Sequence, residues 1–154
     1  MSTQENTNKI SAGLTAVNNH DVDGFVRLLE PGFKLFLIVK PEKLIPQGQV
    51  DGADGFGDYL KMLYSAFENM HFEQQSLSAN GNMVYQELLV VGKHSGPLLL
   101  PDGREIQPTQ LTINMKTEVF HTFNNRGGFL SSTGNANLLD IIGTIQGLIA
   151  PAAA

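Results

Sequence analysis

The chain has no cysteine and no tryptophan, and charged residues fill only 16% of its 154 positions, against roughly 25% in an average soluble protein. The missing cysteines exclude disulfides, thiol nucleophiles and thiolate metal sites together. So little charge leaves a monomer's surface thinly covered and predicts an oligomer with one face buried. Ten basic residues stand against fifteen acidic ones, a net charge of −5. That balance opposes general binding to a phosphate backbone, whose affinity needs clustered Lys and Arg, so nucleic acid is not an expected partner. Long apolar runs are also missing. The longest, residues 35–39 and 88–91, fall far short of the roughly 20 residues that span a bilayer, and no membrane partner is expected. Residues 1–9 are polar and lack the apolar core of a secretory signal, which predicts a soluble cytoplasmic protein.

The residues that are present read as one domain. After the polar lead of residues 1–9, Ile10, Leu14 and Val17 recur at helical spacing. Asp21 then reads as the N-cap of a second, short helix with Val22, Phe25, Val26 and Leu29 as its stripe, stopped by Pro31-Gly32. Residues 33–39 form an apolar run of strand length, and Pro41 and Pro46 break the segment after it. A third helix starts near Asp51 or Asp54. Its broad stripe of Phe56, Tyr59, Leu60, Leu63, Tyr64 and Phe67 marks it as the main helix packed on a sheet. Its Gly-rich, acidic start opposes phosphate and lacks the ligand order of a calcium loop, so helix capping is the better reading. From Met70 the pattern turns to strand. A segment begins at Phe72, then come a turn at Asn80-Gly81-Asn82, a strand over 83–94, a loop over 95–101 and a turn at Asp102-Gly103. A long strand over 111–123, a turn over 124–128 and a last strand from 129 to about 135 precede a closing helix over 138–149 and a small apolar tail, 150–154. Hairpins need antiparallel pairing, and helices segregated to one side of such a sheet make an α+β fold. The closing helix is apolar on more than one face, which again predicts a homodimer.

Alternation along residues 83–94 places Val84, Gln86, Leu88, Val90 and His94 on one face. Histidine titrates near neutral pH, so His94 can move a proton to or from a carbonyl or enol; alternatively it is satisfied by the adjoining loop. Asp102 is the nearest carboxylate and either pairs with His94 or serves its Asp-Gly turn. On residues 111–123 the more apolar parity, Leu111 to Val119, brings His121 with it, while Glu87 and Glu118 read as surface. The Tyr59 and Tyr64 hydroxyls can polarise a carbonyl oxygen, or their rings pack and send the hydroxyls to a rim. Phe33, Phe36, Phe67, Phe72, Phe120 and Phe129 line a pocket for a flat hydrophobic ligand or build the core. The four histidines stand more than twenty residues apart with no close pair, which opposes a metal site. There is no Gly-x-Gly-x-x-Gly run and no phosphate loop, and no cofactor is expected.

Four segments carry a family resemblance: Gly92-Lys93-His94-Ser95-Gly96 at a strand end, the turn Pro101-Asp102-Gly103-Arg104, the hairpin Gly127-Gly128-Phe129-Leu130, and Asn137-Leu138-Leu139-Asp140-Ile141-Ile142. In order and spacing they resemble the SnoaL-like polyketide cyclases of the nuclear-transport-factor-2-like superfamily, over about residues 10–148. The resemblance implies a single SnoaL-like domain over 1–154: a cone-shaped, strongly curved antiparallel sheet with N-terminal helices on its concave side and a C-terminal helix. It also implies a cofactor-free enzyme that rearranges a small hydrophobic carbonyl compound by proton transfer, as a cyclase or isomerase. His94 would be the acid or base, oriented by Asp102 or Gln86, with Tyr59, Tyr64, Phe33, Phe36, His121 and Asn137 against the substrate. The chain departs from the family pattern where many members carry Trp and then Asp before the last helix; here stand Thr133 and Asn137. An amide exchanges no proton near neutral pH, so Asn137 cannot replace that acid. The alternative is a ligand-binding or assembly protein without chemistry on the same fold.

Overall fold

The computed structural model describes residues 3–38, 49–99 and 105–135. Along the chain run α1 (Thr3–Asn18), α2 (Val22–Val26), β1 (Leu29–Ile38), β2 (Gln49–Asp51), α3 (Ala53–Ala66), β3 (His71–Asn80), β4 (Met83–Lys93), β5 (Leu98–Leu99), β6 (Glu105–Ile106), β7 (Thr112–Phe123) and β8 (Phe129–Asn135). Among the described residues, α1 and α3 pack on a sheet of β1–β4, β7 and β8, α2 packs against both helices, and β5 pairs with β6 in a small separate sheet. None of the described helices is long and apolar enough to cross a membrane. The expected closing helix over 138–149, with Asp102 and Asn137, lies outside the described residues.

The sheet corrects the expected architecture. Its strand order is β2-β1-β8-β7-β4-β3, an open sheet that is neither closed nor strongly curved into a cone. It is also mixed, because β1 runs parallel to β8, Leu35 facing Ser132 and Phe36 facing Thr133. Hairpin turns fix the direction of the strands they join; they say nothing about β1 and β8, which meet from opposite ends of the chain. One edge also has its own stop. The Asn18 amide donates to the Phe72 carbonyl (2.9 Å) and accepts from the Phe72 N–H (2.8 Å). It stands in for a neighbouring strand at the start of β3.

The helices follow local chemistry. Asp21 caps α2 as expected, its carboxylate accepting from the Gly24 N–H at 3.0 Å. Helix α1 begins inside the polar lead, because that lead is anchored: Asn6 donates to the Gly81 carbonyl at 3.3 Å and Lys9 to that of Gly127. Along β4 and β7 burial alternates with period two, so Val84, Gln86, Leu88 and Val90 share the helix-covered face with Ile113, Met115 and His121. The core falls into two clusters. One gathers Leu63, Phe67, Met70, Val90, Leu98 and Ile113 near the β5–β6 pair; the other gathers Ile10, Phe33, Leu35, Phe56, Leu60, Val84 and Phe129.

Candidate active site

A cavity of about 170 Å³ is lined by members of both clusters. Its helix side is Ile10, Leu14 and Val17 of α1 with Phe56, Tyr59, Leu60 and Leu63 of α3, and its sheet side includes Leu88, Val90, Met115, Val119 and Phe129. Gln86, Thr117, His121 and Ser132 supply side-chain polarity from the sheet. No Asp, Glu, Lys or Arg is among the described residues that line it.

Three of these polar side chains form one chain of hydrogen bonds. The Gln86 amide nitrogen donates to Gln74 Oε1 (3.0 Å), which turns Gln86 Oε1 towards His121 Nε2 (2.9 Å). An amide oxygen can only accept, so with Gln86 turned this way Nε2 carries the imidazole proton and Nδ1 is bare. Nδ1 then accepts from the Ser132 hydroxyl at 2.6 Å. His121 is buried, packed edge-on against Phe129 with ring centres 5.4 Å apart. That desolvation pushes its pKa down to about 3, so the ring is neutral at physiological pH.

Two irregularities in strand pairing deliver the ends of this chain. In the β7–β8 hairpin the pairing slips by one residue after Phe123↔Phe129, so His121 faces Ser132. Unslipped pairing would set Ser131 opposite His121, and a one-residue slip turns a side chain to the other face. On β3 the pairing passes from Gln74↔Leu88 to Ser76↔Glu87, leaving Gln75 as an extra residue. Residues three apart on a regular strand lie on opposite faces. The bulge at Gln75 puts Gln74 on the same face as Leu77, the partner of Gln86.

His94 is elsewhere. Strand β4 ends at Lys93, and the His94 backbone pairs with the far side of the adjoining loop, donating to the Leu111 carbonyl and accepting from the Gln110 N–H, both at 2.9 Å. Its Nδ1 accepts from the Thr109 N–H (3.2 Å), its ring stacks on Phe67, and its buried Nε2 has no hydrogen-bond partner among the described residues. Burial lowers its pKa. The N–H groups of Ser95 and Gly96 both donate to the Ala66 carbonyl at the end of α3. A Cβ on Gly96 would stand 2.1 Å from the Ser65 carbonyl oxygen, so the segment from Gly92 to Gly96 acts as a latch between loop and helix. His94 is not among the cavity's lining residues.

Of the remaining candidates, Tyr59, Gln86 and His121 line the cavity; Phe33, Phe36 and Tyr64 do not. The Tyr59 hydroxyl has no hydrogen-bond partner among the described residues, and burial raises its pKa, holding it protonated. Tyr64 closes the end of α1, its hydroxyl donating to the Val17 carbonyl (2.8 Å) and its ring stacked on His20. Phe33 is fully buried with its ring edge-to-face against Phe56 and Phe129. Phe36 projects from the opposite face of the sheet and is exposed. Ser132 was not among the sequence candidates. The register slip that brings it to His121 has no mark in the composition of the hairpin.

Solved structures share this fold. A protein assigned as a SnoaL-like polyketide cyclase from Jannaschia sp. CCS1 superimposes with a TM-score of 0.74 at 15% identity, covering 99% of this chain and 94% of the other. One assigned as a polyketide cyclase from Xanthomonas campestris pv. campestris gives 0.72 at 20% identity, covering 93% and 98%. AclR from Streptomyces galilaeus, assigned as a hydroxylase, gives 0.71 at 19%, covering 93% and 83%. No curated protein sequence matches. The SnoaL-like domain profile matches residues 10–127, most of the helices and sheet that enclose the cavity, and the chain belongs to the SnoaL-like domain family.

Proposed function

We propose that the chain is a small-molecule enzyme that binds an uncharged hydrophobic carbonyl compound in the cavity and moves a proton through Ser132 to His121. The observation that carries this reading is the Ser132 Oγ–His121 Nδ1 contact of 2.6 Å at the wall of an otherwise apolar cavity. A proton leaving the substrate's α-carbon or hydroxyl passes to Ser132 Oγ as the serine's own proton passes to Nδ1. The imidazolium keeps its Nε2 proton on Gln86, and the reverse movement returns a proton to the product. The Tyr59 hydroxyl supplies a donor for the oxygen that becomes an enolate. With its pKa near 3, His121 gains a proton only as that anion forms beside it, so the two charges arise as a pair. The absence of a charged residue from the described lining favours a neutral substrate. An engineered cavity of roughly 150 Å³ holds benzene, so about 170 Å³ fits one ring and a short substituent. The relatives assigned as cyclases and as a hydroxylase support small-molecule chemistry without choosing the reaction.

The test is α-proton exchange of acetophenone and phenylacetone, each one ring with a short carbonyl substituent, in D₂O, monitored by proton NMR. The wild-type chain accelerates exchange over buffer, and Ser132→Ala and His121→Gln abolish the acceleration. If there is no accelerated exchange and no resonance shift at cavity residues, the reading fails. Shifts without exchange would favour a binding protein without chemistry, which the lack of a lining carboxylate among the described residues also supports. The homodimer expected from composition belongs to the same proposal, with the exposed Phe36 and Phe120 of the outer sheet face inside the contact. A strict monomer in sedimentation at micromolar concentration removes that part.

A further inference from the structure

The hydrogen-bond chain through His121 has a second consistent state. Turning both amides over makes Gln74 the donor to Gln86 Oε1 and Gln86 the donor to His121 Nε2; the imidazole proton then sits on Nδ1, and Ser132 accepts. Both states use the same heavy-atom positions at the same distances. They differ in what the imidazole can do. With Nδ1 bare it takes the proton of Ser132, and with Nδ1 protonated it can only give one. Gln86, His121 and Ser132 are all buried, so none of them meets solvent that could set the direction of the chain. Gln74 is the exposed end, on an edge strand, and the bulge at Gln75 is what aims it inward.

We propose that Gln74 is a positioning residue: the group its side chain presents to Gln86, an acceptor at 3.0 Å in this structure, sets the direction of the hydrogen-bond chain, and so decides whether His121 receives or supplies the proton at Ser132. It touches neither Ser132 nor the cavity. This inference rests on the reading of Ser132 and His121 as the proton-transfer pair, and adds that the direction of transfer is controlled from outside the cavity by one side chain.

Three substitutions at Gln74 separate the states, because they change donor and acceptor character at an exposed position and leave the core untouched. Gln74→Glu can only accept, and holds His121 in the Nε2-protonated form. Gln74→Lys can only donate, and moves it to the Nδ1-protonated form. Gln74→Leu does neither, and yields a mixture of the two. The two imidazole nitrogen resonances of His121, read by long-range ¹H–¹⁵N correlation in the ligand-free protein, report the tautomer directly. In Gln74→Lys they should exchange positions relative to wild type, and in Gln74→Glu they should stay. Where wild type exchanges ketone α-protons, the Lys variant should lose at least tenfold in rate and the Glu variant should stay within twofold. If all three variants keep the wild-type tautomer, Gln74 does not set the direction and the inference fails. The tautomer is read without ligand or turnover, so a protein inactive on every ketone would remove the proposed activity while these resonances still decided the role of Gln74.

Discussion

Acidification tests the buried neutral state of His121. In the unfolded chain the ring titrates at the ordinary value of 6.5; in the fold burial holds it at about 3. The folded state therefore binds fewer protons between those values, and stability is complete above pH 6.5 and lost as pH falls towards 3. Between pH 8 and pH 5 the linkage amounts to about 2 kcal/mol, near thirtyfold in the unfolding equilibrium. Other groups titrate over the same range, including His94, whose pKa burial also lowers, so a single pH series would not isolate the effect. Comparison with His121→Gln does, because Gln does not titrate and keeps donor and acceptor groups for Gln86 and Ser132. Urea unfolding at pH 8 and pH 5 should show wild type losing about 2 kcal/mol more than the variant. The His121 ring resonances should meanwhile stay those of a neutral imidazole down to pH 4.5. Equal losses in the two proteins, or a His121 midpoint between pH 6 and 7, would refute the reasoning.

Other substitutions probe the remaining features. Gln86→Glu places a carboxylate on His121 Nε2, at the 2.9 Å contact now made by the amide oxygen, and should raise the His121 midpoint by about 1–3 pH units in an NMR titration. Gly96→Ala sets a Cβ against the Ser65 carbonyl; backbone cannot rotate away, and chemical denaturation should show a loss of about 3 kcal/mol. His94→Ala removes the acceptor of the Thr109 N–H and a ring stacked on Phe67. It should lower stability by about 3 kcal/mol while leaving affinity for a cavity-bound ketone within twofold in an NMR titration; a much larger loss of affinity would return His94 to the site.

The order of helices and strands was legible because punctuation marks it: Asp21 caps, and Asn80-Gly81 and Asn124–Gly128 turn; Pro31-Gly32 does not stop α2, which ends at Val26, and with Leu29 it lies inside β1. Parity alone then put Gln86 and His121 on the covered face, since both lie within long, regular strands. The same parity included His94, one residue past the end of β4, where alternation no longer binds and the side chain goes with the loop instead. The parallel pairing of β1 with β8 was not legible, because no turn joins them. Nor was β2, three residues held mainly by pairing with β1, or the β5–β6 pair, which depends on Leu98 and Ile106 finding α3. Ser132 and Gln74 were missed for one shared reason. Each is delivered by a register irregularity, and register is settled by competition between whole strands rather than by the residue that slips.

The anchoring of α1 has a consequence in time. Asn6 reaches a carbonyl 75 residues ahead, Lys9 one 118 residues ahead, and Asn18 a strand 54 residues ahead. Loop-closure entropy opposes such contacts until the intervening chain is already ordered. Helix α1 thus leaves the ribosome before the two turns and the edge strand that fasten it. Since it carries one wall of the cavity, the cavity comes into being only after those turns and that strand have formed.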